Sequence, residues 1–212
     1  MQEMNNAERI SNHILLVSGQ ITDVSLYHGM TGVILALMAY AKSIDCKPVK
    51  DFADEYFNNI YSGIHDGLSI GIEYGLAGVG YGVTLMRKAK LIDCDLNDIL
   101  SDIDSKIMET DPRRCKNLTF RRGLAGVLSY INLRKETEGT VTSFDSTYLN
   151  ELHIRMNEVS DIERQELSKT LFDDIESPTW DINEYLLKPI GIHQGSSYYL
   201  LKEVYDKVLS DK

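Results

Sequence analysis

His28, Glu73 and His193 are the residues whose types and placement could do chemistry together in this sequence. Each stands one or two positions before a glycine that opens a new segment, at Gly29, Gly75 and Gly195. Imidazole and carboxylate are the donors of hydrolytic zinc sites, whose ligands sit about 2.0–2.2 Å from the ion. The plainer use of each is the preferred reading: His28 bonding a neighbouring loop, Glu73 capping its helix, His193 simply exposed. Arg121 and Arg122 hold the same station before Gly123, beside the positive end of a helix, which favours carboxylate or phosphate. Salt bridges to the many acids are their alternative. Tyr27, Tyr74 and Gln194 stand there too, with Tyr198 and Tyr199 just beyond Gly195. Tyrosine supplies amphipathic area either to a peptide groove or to packing at a rim.

Other candidates separate poorly from ordinary surface. Asp66, Asp102, Asp104, Asp173 and Asp174 could supply the carboxylate pair of a glycosidase, but acids are common throughout the chain. His13, His65 and His153 have no partner at ligand spacing. Trp180, in Ser177-Pro178-Thr179-Trp180-Asp181, reads as a cap on the last structural unit. Cys46, Cys94 and Cys115 are odd in number and scattered, which excludes a disulfide framework and fits a reducing, cytoplasmic setting.

The stations recur because the sequence repeats. Ser25-Leu26-Tyr27-His28-Gly29-Met30-Thr31-Gly32-Val33, residues 71–79 and residues 119–127 share glycine, an apolar residue, a small residue, glycine and valine. Residues 191–199 are a degenerate copy that keeps Gly195 but has Tyr198 where the second glycine should be. Gly29 and Gly75 lie 46 residues apart and Gly75 and Gly123 lie 48 apart, a span that holds two helices and two connections. The 72 residues from Gly123 to Gly195 leave room for a worn or inserted element.

Each motif starts an inner helix. Val33, Leu35, Leu37 and Met38 are apolar nearly all round, which marks a buried helix. Gly29, Gly32 and Ala36 share a ridge, as do Gly75, Gly78 and Gly82, and Gly123 and Gly126 repeat its start. Glycine within a helix costs about 1 kcal/mol against alanine, so its return implies a neighbouring backbone in close approach. Amphipathic helices are predicted over 51–60, 95–109, 148–159, 162–175 and 197–209. The second of these puts Leu96, Ile99, Leu100, Ile103 and Ile107 on one stripe and its acids on the other. No segment sustains the two-residue alternation of a sheet. The expectation is all-α, one domain over 1–212 built of repeated α-hairpins.

Taken with the residues before each first glycine, these motifs resemble those of the lanthionine synthetase C-like (LanC-like) family, most closely in Ser25–Val33. The resemblance implies a partial or small α/α toroid whose inner helices start at one end, around a cavity. It also implies that cyclases of the family hold zinc there, activating a precursor's cysteine thiol for addition to dehydroalanine or dehydrobutyrine. Zinc stabilises thiolate at neutral pH, an open coordination position accepts the sulfur, and a histidine serves the enolate as acid or base. The sequence departs from that pattern. The columns that carry cysteine in cyclases read Tyr27-His28, Glu73-Tyr74, Arg121-Arg122 and His193-Gln194.

The functional expectation is therefore a non-catalytic or altered LanC-like protein, a pseudoenzyme that binds a peptide or a partner protein and needs no cofactor. A half-ring would bare the apolar sides of its inner helices, and self-association would cover them. Alternatives are an active enzyme, either a peptide cyclase with rebuilt zinc ligands or a carbohydrate-active toroid, and a plain helical-repeat adaptor. A net charge of −10 over 212 residues argues against nucleic acid, with Arg113, Arg114, Lys116, Arg121 and Arg122 as the local exception. The most apolar stretch, 33–41, is far below the roughly 20 residues that span a bilayer, and the first residues do not read as a secretory signal.

Overall fold

Two capping devices set where helices begin in this chain. The computed structural model describes residues 5–65, 67–139, 143–158, 165–167, 169–175 and 180–209. Asp66, Ser177, Pro178, Thr179 and the beginning of the 162–175 pattern lie outside them. Among the described residues there is no strand. The first half holds α1 (Asn6–Val17), α2 (Met30–Ile44), α3 (Lys47–Asn59) and α4 (Leu76–Lys88). Then come α5 (Leu96–Ile99), α6 (Ser101–Met108), α7 (Leu124–Glu138) and α8 (Ser146–Asn157). The last are α9 (Leu171–Asp174), α10 (Ile182–Tyr185) and α11 (Ser196–Val204), which runs on through a wider turn to Leu209.

Side chains cap several of the outer elements. Asn5, Asp95, Asp145, Thr170 and Asp181 each accept an N–H of the turn that follows, the last two within reciprocal capping boxes. The inner helices α2, α4, α7 and α11 have no side-chain cap. Their free N–H groups are met by the loop that leads in. Met30 N–H donates to Asp23 O (2.7 Å), Leu76 to Ser69 (2.8 Å), Leu124 to Asn117 (3.1 Å) and Ser196 to Pro189 (2.9 Å), always seven residues back. The loop therefore lies against the helix's first turn. A Cβ on Gly29, Gly75, Gly123 or Gly195 would strike that loop's backbone, and so would one on Gly32, Gly78 or Gly126. The close backbone is thus the helix's own leader, while the neighbouring repeat contributes a side chain.

That side chain sets the order of the repeats. Leu26 sits beside Gly78 (3.2 Å to the position of a Cβ), Ile72 beside Gly126 (2.6 Å) and Ile192 beside Gly32 (3.1 Å). Each is the residue three before its own motif glycine. Accordingly α11 packs on α2, α2 on α4, and α4 on α7, so the degenerate last copy lies next to the first. Outer helices back this row: α1 on α11, α3 on α2, α6 on α4 and α8 on α7.

The expected half-ring does not leave its inner faces bare. Residues 165–167 and 169–175, which belong to no repeat, bridge the two outer copies. Glu166 accepts the Phe120 N–H (2.9 Å), Leu171 is fully buried with its backbone bonded to Tyr81 of α4, and Phe172 packs edge-on against Tyr205. Exposed large apolar residues are scattered among the described positions, as at Leu16, Ile44, Ile154 and Leu187.

Three expectations need correction. The pattern over 162–175 is not one helix: Lys169 and Thr170 are non-helical, and Thr170 caps the separate turn α9. The helix predicted over 95–109 is broken at Leu100 into α5 and α6, although its apolar stripe is kept. Its acids do not all face out: Asp104 is fully buried, held by Arg134, by Ser143 and by the Tyr130 hydroxyl (2.6 Å). Arg134 in turn donates to Asn97 (3.0 Å), so one ion pair ties α5, α6 and α7 together. Removing one partner strands the other's charge, and Asp104→Ala should cost about 3–5 kcal/mol in urea unfolding. Gly78→Ala, which forces Ile72 O away from the helix, should cost at least about 2 kcal/mol, while Leu16→Ala at the surface stays within about 0.5 kcal/mol of wild type.

Candidate functional site

The lead-in loops dock in two pairs, the second on the third and the fourth on the first, and side chains of His28, Glu73 and Tyr74 join the pairs. Glu73 N–H donates to Arg121 O (2.8 Å) and His193 N–H to Tyr27 O (3.0 Å). Gly71 and Gly191 make room for this. A Cβ on Gly71 would lie 2.7 Å from Arg121 O, and one on Gly191 would meet Tyr27 and His28. Both glycines are the first residues of their copies, 71–79 and 191–199.

Glu73 is the hub of the lip. It is 3 % exposed, and its two oxygens are both engaged: Oε2 by Arg122 Nε (2.7 Å), Oε1 by His28 Nε2 (3.4 Å) with Arg121 at 3.9 Å. It does not cap its helix. Burial pushes its carboxyl up, but hydrogen bonds from Arg122 and His28 and the charges of both arginines outweigh this and hold it below the usual carboxylate range. Around it runs a stack: Arg122 lies over the Tyr74 ring (5.6 Å), and Tyr74 stacks on His28 (4.8 Å). His193 meets His28 edge-on at 5.4 Å. The Tyr74 ring and the Arg122 side chain are 44 % and 64 % exposed, so the stack faces outward.

Beneath the stack lies a second polar knot. Tyr27 is fully buried and donates to Asp174 Oδ2 (2.6 Å), and Arg121 Nε reaches the same oxygen (2.7 Å) while its guanidinium covers the Tyr27 ring (5.6 Å). Burial first, then the bond to Asp174, raises the Tyr27 hydroxyl far above its ordinary range, so it stays a neutral donor. Gln194 stands exposed at the rim with a left-handed backbone (φ 49°).

The other candidates fall elsewhere. Asp173 belongs to a capping box, Asp104 to the buried ion pair, and Asp102 is exposed. Trp180 packs on Tyr185 (5.4 Å) under Lys188. Arg113 and Arg114 are solvated and paired with Asp111. Cys46, Cys94 and Cys115 are free thiols on connections between helices, away from the lip columns. The larger surface hollows lie at the opposite ends of α2 and α4, where Lys47 and Lys50 are already paired with Asp51 and Asp54.

The model of the lanthionine synthetase C-like protein family matches residues 20–183, a range that takes in three of the four glycine motifs and the bridging segment. This chain belongs to the lanthionine synthetase C-like family. No curated protein and no solved structure gives a match. No described helix is long and apolar enough to cross a membrane. No cysteine stands in the columns of this lip, and Glu73 is engaged by two guanidiniums and by His28.

Glu73 gives the lip an acid limit. Its folded-state pKa lies below the unfolded value of about 4.3, so its stabilisation is present above that pH and is lost as pH falls through the folded value. Glu73→Gln should therefore flatten the decline of the unfolding midpoint between about pH 5 and pH 3, measured by circular dichroism at fixed ionic strength.

Proposed function

We propose that this LanC-like chain serves peptide modification by holding a peptide or peptide-like segment on the Arg122–Tyr74–His28 stack, without closing thioether rings itself. The carrying observation is the state of Glu73. With both oxygens on Arg122, Arg121 and His28, it props up a cation–aromatic shelf instead of offering a metal ligand. Arginine and tyrosine are the side chains that most often anchor protein and peptide partners, because each combines flat contact area with hydrogen bonding. Family membership supplies the peptide context, and the outward exposure of Tyr74 and Arg122 supplies access.

The test uses a fluorescently labelled linear peptide that carries one cysteine and one dehydroalanine. Fluorescence anisotropy should show binding that weakens at least about tenfold, roughly 1.4 kcal/mol, in the Tyr74→Ala/Arg122→Ala variant. With zinc added, thiol alkylation followed by mass spectrometry should find the cysteine still free. Zinc-dependent loss of the thiol that disappears in His28→Ala would overturn the reading in favour of a cyclase with rebuilt ligands.

A further inference from the structure

Asp174 joins the lip although no repeat supplies it. It comes from the bridging segment, at the last position of the short helix α9 (Leu171–Asp174). What holds it is a receptor assembled by others. Tyr27 comes from the first copy, Arg121 from the third, and Lys169 approaches the second oxygen at 3.7 Å. Arg121 also donates a second hydrogen bond, to the Asp174 backbone carbonyl (3.2 Å). A planar guanidinium and a buried phenol converging on one carboxylate oxygen is the arrangement expected of a carboxylate-binding site.

We propose that Tyr27 and Arg121 form a carboxylate receptor for an acidic side chain or C-terminus of a bound peptide, and that Asp174 fills it internally until such a group displaces it. The inference rests on the peptide-holding reading and adds its ligand chemistry and its regulation. The exposed shelf of Tyr74 and Arg122 takes the first contact, and the two sites are connected. Arg121 bonds Asp174 and also approaches Glu73, the carboxylate that props Arg122. Displacing Asp174 frees the bridging segment at its lip end, because Asp174 is that segment's tie to both Tyr27 and Arg121.

Two fluorescein-labelled octapeptides test this, alanine-rich and alike except that beside one tyrosine the first carries aspartate and the second asparagine. Wild type, with its receptor filled, should bind the two within about threefold of each other. Asp174→Ala should bind the aspartate peptide at least tenfold more tightly than the asparagine peptide, and adding Arg121→Gln should erase that preference. Asp174→Ser, whose short side chain leaves the receptor unfilled, gives the same ordering and serves if the alanine variant does not fold. Equal binding of both peptides by the Asp174 variants, with the Tyr74 and Arg122 dependence intact, overturns the receptor and leaves the shelf standing. Failure of either peptide to bind any variant overturns both.

Discussion

A backbone hydrogen bond closes seven residues back at the head of each inner helix, and the rest of the structure depends on it. The bond folds the lead-in loop flat against the first helical turn, so closely that a Cβ on the first motif glycine would strike the loop's backbone. With the loop in place, an aliphatic residue three before the glycine projects sideways and seats on the second glycine of the next helix. The same fold-back leaves the two residues before the glycine at the loop's crest. Capping, repeat spacing and the gathering of polar side chains at one end therefore follow from a single local constraint. At all four inner-helix heads the leading N–H groups are met without a side-chain cap, and in three of them a second glycine lies within the first helical turn.

Much of this architecture was legible in the sequence, and the missing parts have identifiable causes. The recurrence of Gly29, Gly75 and Gly123 ahead of apolar runs specified the buried helices because glycine and periodicity are side-chain signals. The capping partners were not legible: Asp23, Ser69, Asn117 and Pro189 share no side chain, and only their carbonyls matter. Asp104 was assigned outward because periodicity counts apolar positions, whereas its partner Arg134 lies in the next inner helix. The break at Leu100 left no trace in the apolar spacing, because the buried stripe of Leu96, Leu100, Ile103 and Ile107 runs on through it.

The lip was legible as a set of columns and not as a network. Lining up the four copies placed Tyr27, His28, Glu73, Tyr74, Arg121, Arg122 and His193 in matching stations, and the structure brings them side by side. Which of them pair depends on the spatial order of the copies, with the last beside the first, and nothing in the spacing encodes that order. Asp174 escaped notice as a lip residue because it belongs to none of the copies. Lysine, arginine and carboxylate content alone would not have separated it from Asp173, whose carboxylate closes a capping box one residue earlier.

The seat of Ile192 on Gly32 has a further consequence for how the chain is made. Synthesis delivers the first inner helix early, yet one flank of it is completed only by residues near the other end of the sequence. Until the ribosome has released those residues, α2 keeps an aliphatic ledge open to whatever else in the cell is sticky. A core that joins elements so far apart in sequence is completed only when both are made, and contacts of such long separation form slowly.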